Sequence, residues 1–261
     1  MKARYGFKVR SYECGPDGMA TMPSVCNYLQ EAASLHAEEL GFSKSDFDAA
    51  GGNISWVLAR MRVDMKRYPR WEEEVCVETW PRGGRKIVAF RDFVLRDSSG
   101  AEIGFATSEW MIIDLSTRKV VAIPQRVVSL VGDNPESVLG PDPFTARLRF
   151  PAQSAEAPGA ENGEFAFLAQ NSHIDLNGHV NNVHYIEWLL EPFAGRQPSG
   201  MEVVFRNEAL RGDRIFAESS AEADPAAGEG CRYARVHAAD GKDFALAKFD
   251  FGDFVSGEAR L

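Results

Sequence analysis

Apolar and polar positions change period several times along this chain, and each change marks an element. Residues 5–12 (YGFKVRSY) alternate about apolar Phe7 and Val9, the spacing of a first strand. Gly15-Pro16-Asp17-Gly18 then turns the chain. Residues 19–40 place Val25, Tyr28, Leu29, Ala32, Ala33, Leu35 and Leu40 mostly on one face of a long helix, with Gly41 as its stop. A polar excursion over 43–55 contains Gly51-Gly52. From Trp56 onward the period is two, through WVLARMRVDMKRY, EVCVETW, KIVAFRDFVLRD and EIGFATSEWMIIDL. Turn signals at 81–84 and 97–100 separate the last three, which predicts an antiparallel meander.

Residues 124–162 differ in character. They hold Pro124, Pro135, Pro141, Pro143, Pro151 and Pro158 beside SAEAPGAENGE, and read as a connection, partly packed and ending in a flexible tip. On this reading 1–123 is an N-terminal domain and 163–261 a C-terminal one. The element order then recurs: strand (EFAFLAQ), polar turn, long helix, strands. Asp17-Gly18-Met19 aligns with Asn177-Gly178-His179 at an offset of 160, continuing ungapped through Tyr28 with Trp188 and Glu31 with Glu191. Residues 61–79 align with 201–219 at an offset of 140, so that Val63 meets Val203, Lys66 meets Arg206 and Glu78 meets Glu218. Gly100 meets Gly241. A long helix ahead of a meander must bury its apolar face against that sheet. The expected architecture is therefore α+β, with two tandem helix-plus-antiparallel-sheet units forming an intrachain pseudo-dimer.

Composition narrows the class. The 261 residues are 44% hydrophobic and 26% charged, enough for a sizeable core. No apolar run approaches the ~18 residues of a membrane span, and MKARYGFKVRSYECG has no apolar segment of a secretory signal, so a cytoplasmic protein away from membranes is expected. A net charge of −9 argues against non-specific nucleic-acid binding. Cys14, Cys26, Cys76 and Cys231 are scattered, which predicts unpaired thiols. They show no zinc-ligand spacing with His36, His173, His179, His184 and His237, so no metal or other cofactor is expected.

Chemistry concentrates in NSHIDLNGHVNNVHYIEWLLE, residues 171–191. Asp175, Asn177, His179, Asn181 and Asn182 crowd into eight residues just before an amphipathic helical run over 183–193, stopped near Gly195 and Pro198. A helix N-terminus offers backbone N–H groups to a developing oxyanion, which here would be those of residues 178–180, between Gly178 and Val180. A carboxylate and an imidazole in the same turn suit acyl transfer. The plainer reading is an Asn-rich cap with a satisfied histidine.

D-L-N-G-H-V-N-N-V-x-Y-I-E-W-L-L-E at 175–191 resembles the signature of acyl-acyl-carrier-protein thioesterases, the plant FatA/FatB type and bacterial relatives. VVFRNEALRGD at 203–213 resembles that family's second motif. The resemblance covers essentially the whole chain and implies a double hotdog fold. It implies catalytic roles for Asp175, Asn177, His179 and Glu208, the last on a facing strand. Many family members carry a cysteine after that glutamate; this chain has Ala209, so no cysteine nucleophile is available there. Carboxylate-driven hydrolysis is left: Glu208 or Asp175 as general base for a water, or Asp175 as direct nucleophile, with Asn177 and His179 as orienting groups.

The first half has Asp17, Met19 and Tyr68 in place of Asn177, His179 and Glu208, so one active site per chain is expected. Met19, Met22 and Val25 read as acyl-tunnel lining or as ordinary core. Arg67, Arg70, Arg82, Arg85 and Lys86 read as a docking surface for an acidic carrier or as a solvated face. The activity implied is release of free fatty acid from acyl carrier protein bearing a phosphopantetheine-linked acyl chain. The alternatives are an acyl-CoA thioesterase and a non-catalytic acyl-binding hotdog protein; association into a homodimer of pseudo-dimers is left open.

Overall fold

The computed structural model of the chain describes residues 2–130, 137–145, 147–151, 165–193, 195–220, 230–252 and 254. The chain divides into two compact units between Pro143 and Phe144. The expected flexible tip, SAEAPGAENGE at 154–164, lies outside the described residues. No helix among the described residues is long and apolar enough to cross a membrane.

The first unit contains β1 (Ala3–Lys8), α1 (Met22–Glu39), α2 (Lys44–Ala49), β2 (Ile54–Met65), β3 (Glu74–Arg85), β4 (Val88–Asp97), β5 (Glu102–Asp114), β6 (Lys119–Val121) and α3 (Gln125–Val128). Its strands pair antiparallel in the order β1-β3-β4-β5-β2, with β6 on the end of β5. Helix α1 starts at Met22, three residues later than the sequence period suggests. Met19 and Ala20 are held in bridges to Arg70 and Cys14 instead, which leaves Thr21 as N-cap, its side chain accepting from Ser24 N. At the other end Gly41 takes φ +73°, its N–H donates to Glu38 O at 2.9 Å, and Phe42 N donates to Ala37 O at 2.8 Å. This left-handed cap closes the last carbonyls and sends buried Phe42 into the core. Met22, Val25, Leu29, Ala32, Ala33 and His36 make the buried face of α1, which packs on β1 and β3. Phe42 and Phe47 gather Ile112, Ile123 and Val127 into a second cluster, so the start of the Pro-rich segment is packed.

Several polar side chains sit deep in this unit. Arg91 on β4 donates through Nη1 to His36 Nδ1 at 3.0 Å and to Thr79 Oγ1 at 3.2 Å. A guanidinium only donates, so the His36 Nδ1 must accept. Burial, and then the charge of Arg91, push the His36 imidazole down to about 4. An unfolded histidine binds its proton near pH 6.5, so between that pH and 4 only the unfolded chain takes it up. Stability is therefore fully present above about pH 6.5 and declines as pH falls toward 4, by roughly 3 kcal/mol from this group. Melting curves from pH 7 to pH 4 should show a shallower decline for His36→Gln than for the parent; equal slopes would contradict the assignment. Asp92, with no exposed surface, accepts from Thr107 Oγ1 at 2.6 Å, Arg82 Nε at 3.3 Å and Val138 N at 3.0 Å.

The second unit contains β7 (Phe165–Leu168), α4 (Asn182–Leu190), β8 (Gly200–Phe205), β9 (Arg214–Ser219), β10 (Cys231–His237) and β11 (Asp243–Asp250). Its antiparallel order, β7-β9-β10-β11-β8, matches the first unit's strand for strand. The repeat extends to single hydrogen bonds. Val9 N to Glu73 O recurs as Ala169 N to Asp213 O, both 2.9 Å. Lys66 N to Ile103 O recurs as Arg206 N to Phe244 O, both 2.8 Å. The stacked pair Phe7–Tyr28, with centroids 5.0 Å apart, recurs as Phe167–Trp188 at 5.7 Å. Each unit is a helix against an antiparallel sheet, and the chain has the double hotdog fold.

Candidate active site

The polar stretch ahead of α4 is a tight turn. Asp175 N donates to His179 O at 2.8 Å and Gly178 N to Asp175 O at 3.0 Å, with Gly178 at φ +80°, where a side chain would be strained. The Asp175 carboxylate faces back into this turn. Its Oδ1 accepts from Asn177 N at 2.8 Å, and its Oδ2 from Asn177 Nδ2 at 3.3 Å. The His179 N–H points at the same Oδ1 from 3.5 Å. Asn177 therefore braces the Asp175 carboxylate through both of its oxygens.

His179 is paired with the other carboxylate. Its Nδ1 lies 3.5 Å from Glu208 Oε2, with the His179 side chain 20% exposed and that of Glu208 41% exposed. The pair is thus reachable from outside. Glu208 is not on a strand, as expected from sequence, but in the segment after β8. The ladder ends there because Arg206 N and Asn207 N both turn to Phe244 O, at 2.8 and 3.2 Å, and Asn207 Nδ2 holds Asp243 O at 2.7 Å. The segment then crosses to the turn, where Val180 N donates to Ala209 O at 3.0 Å.

The backbone oxyanion site expected at 178–180 is not available. Gly178 N and Val180 N donate to Asp175 O and Ala209 O, and the helix begins only at Asn182, capped by Asn181, whose Oδ1 accepts from Val183 N at 3.1 Å. The residues form a bridged turn before the helix, so the Gly178 and Val180 N–H groups face carbonyls of the fold and that of His179 faces the Asp175 carboxylate. Beside the turn, His173 N𝛿1 accepts from Gln170 N at 3.0 Å, and burial, then the neighbouring His184, push its imidazole down.

The same turn exists in the first unit without these groups. Gly15 N donates to Met19 O at 2.9 Å, Gly18 N to Gly15 O at 3.0 Å and Ala20 N to Pro69 O at 2.8 Å. Gly15, Asp17, Met19 and buried Tyr68 stand where the second unit has Asp175, Asn177, His179 and Glu208. Met22 and Val25 are fully buried in the core of their unit and Met19 partly so. The five basic residues do not make one patch. Arg67 and Arg70 precede β3, while Arg82, Arg85 and Lys86 lie at its far end, roughly 30 Å along the strand. Arg67 is held by Glu73 and Asp97, at 2.6 and 2.7 Å, and Arg82 by buried Asp92.

A family model described as the acyl-ACP thioesterase N-terminal domain matches residues 1–131, and one for the C-terminal domain matches residues 158–252. The chain belongs to the acyl-ACP thioesterase family. It is 36% identical, over 198 residues, to oleoyl-acyl carrier protein thioesterase 2, chloroplastic, of Arabidopsis thaliana, covering 71% of this chain and 52% of that protein. It is 32% identical, over 236 residues, to the oleoyl-acyl carrier protein thioesterase of Coriandrum sativum, covering 84% and 62%. The chain thus spans between half and two thirds of the length of these relatives. Among solved structures it resembles an acyl-ACP thioesterase from Bacteroides thetaiotaomicron, with a TM-score of 0.80, 25% identity and coverage of 96% of this chain and 98% of that one. The fold is shared with the 12:0-ACP thioesterase from Umbellularia californica, at a TM-score of 0.78, 24% identity and coverage of 95% and 96%.

None of the four cysteines forms a disulfide, and Cys26 and Cys231 are buried. Burial pushes the Cys26 thiol up to about 12, far from a nucleophile's range. Ala209, the residue after Glu208, has no exposed surface. A variant with all four cysteines changed to alanine should keep kcat within a few-fold; a folded but inactive variant would point to a thiol in the chemistry. Sequence reasoning did not single out Tyr185. Its hydroxyl accepts from Ala209 N at 2.8 Å, a bond with no signature in local spacing because its partners lie 24 residues apart.

Proposed function

We propose that this chain hydrolyses fatty acyl thioesters of acyl carrier protein, releasing free fatty acid and holo-carrier protein. One observation carries the reading: in a chain of this family, two matching turns exist, and only one bears Asp175, Asn177, His179 and Glu208. A purely structural role would not require the polar set in one copy alone.

A water attacks the thioester carbonyl carbon, forming a C–O bond and later breaking the C–S bond. We assign Glu208 as the base that takes the water's proton, with His179 beside it to orient and polarise it. Asp175 is already engaged by Asn177 N and Nδ2, so we assign it a fixed, orienting charge rather than the base. The sulfur leaves as a thiolate whose pKa near 8.5 makes its protonation undemanding. The partner in this reading is the carrier protein with its phosphopantetheine-linked acyl chain, and exposed Arg85 and Lys86 at the β3–β4 turn are the cations offered to its acidic surface. Cysteines held outside any disulfide support a reducing compartment such as the cytoplasm.

The test is free-thiol release by the purified protein from acyl-carrier-protein and acyl-CoA thioesters of matched chains, short to long. Higher kcat/KM on the carrier-protein series is expected. Preference for the CoA series would move the assignment to an acyl-CoA thioesterase, and no turnover of either would leave an acyl-binding protein.

A further inference from the structure

The Glu208 segment is tied to the helix by one contact that both halves share and one that they do not. The shared contact is Val180 N to Ala209 O at 3.0 Å, matched by Ala20 N to Pro69 O at 2.8 Å. The second is the buried bond from Ala209 N to the Tyr185 hydroxyl, 2.8 Å. At the matching positions the first unit has Val25, which lacks a hydroxyl, and Pro69, which lacks an N–H. Donor and acceptor are therefore missing together, in the half that also lacks the carboxylates and imidazole.

We infer that Tyr185 is a positioning residue that presents Glu208 to His179 by gripping the Ala209 N–H. The N–H belongs to the planar peptide group joining residues 208 and 209, so fixing it fixes the backbone torsion of Glu208 on its C-terminal side. With Val180 N on the Ala209 carbonyl, both peptide groups flanking residue 209 are held. The tyrosine ring is itself immobilised. It is buried and packs against Trp188, Phe205 and Phe244, with centroids 5.7, 6.1 and 6.3 Å away. Burial pushes its hydroxyl up to about 12, so the group stays neutral and keeps a lone pair for the N–H. A carboxylate as open as Glu208 gains its geometry from such a support, because loss of about 1 Å in placement can cost up to ~10²-fold in rate. This inference rests on the reading of Glu208 and His179 as the reacting pair.

Tyr185→Phe, Ala209→Pro and the double variant test it, with Glu208→Ala alongside. Tyr185→Phe leaves a buried N–H unpaired, so both the melting temperature and kcat should fall, kcat by about 10-fold with KM within about twofold. Adding Ala209→Pro removes the orphaned donor, as in the Val25 and Pro69 pair of the first unit. The melting temperature should then recover while kcat stays low. Recovery of kcat in step with melting temperature would reduce Tyr185 to a stabilising residue and overturn the inference. If Ala209→Pro prevents folding, Tyr185→Phe decides alone: kcat per folded molecule equal to the parent's overturns the inference, and a loss with unchanged KM supports it. An active Glu208→Ala would instead overturn the reading of the site, whereas an inactive one beside a fully active Tyr185→Phe would overturn only this inference.

Discussion

Glu208→Ala and Asp175→Ala are each expected to lower kcat by at least about 10²-fold, the usual worth of a general base for the first and of a misplaced reacting group for the second, with KM little changed. Glu208 faces His179 Nδ1 at 3.5 Å, and Asp175 is braced by Asn177 in the same turn. Groups that act as a unit are non-additive, so the double variant should be hardly slower than the slower single. The first unit supplies an internal control. Asp17→Ala and Tyr68→Phe alter the matching positions of a turn with the same backbone bonds, and kcat should stay within a few-fold. A dead Asp17→Ala beside an active Glu208→Ala would place the chemistry in the wrong half. A single turnover in ¹⁸O-water tests for direct attack by Asp175. With Glu208 activating water, the label goes to the fatty acid alone in the first turnover. Label in the Asp175 side chain would show instead that this carboxylate attacks the carbonyl itself.

Asp92→Ala should produce the largest loss of stability, about 3–5 kcal/mol, the range for removing one partner of a buried charged network. The carboxylate has no exposed surface and accepts from Thr107, Arg82 and Val138. Its removal leaves the Arg82 charge and two further donors without their acceptor. At roughly 2–4 °C per kcal/mol for a chain of this size, the melting temperature should drop by about 6–20 °C. Asp92→Asn keeps the shape and one acceptor, so it should lose less. A melting temperature for Asp92→Ala within a degree or two of the parent would show that the network contributes little. Because Asp92 lies in the first unit, kcat measured well below the transition should be nearly unchanged.

The hydrophobic periods were enough to find α1, the meander and their recurrence, because burial of one face imposes a period of 3.6 or 2 on the residues themselves. The ungapped offsets of 160 and 140 likewise paired Asp17 with Asn177 and Tyr68 with Glu208, a match now seen in the hydrogen bonds of both units. The polar set before α4 was legible as a dense local motif. What the sequence could not decide was where N–H groups point and which distant groups meet. Residues 178–180 looked able to offer free N–H groups at a helix N-terminus, but hydrogen bonds to Asp175 O and Ala209 O consume Gly178 N and Val180 N ahead of the helix that begins at Asn182. Five basic residues close in number lie at two ends of one extended strand, because a strand advances about 3.3 Å per residue. Glu208 leaves its strand to meet His179, and Tyr185 reaches Ala209, through contacts 29 and 24 residues apart in sequence. Period and propensity are properties of neighbours along the chain. Side-chain direction and hydrogen-bond partnership across such distances are set only when the sheet closes on its helix.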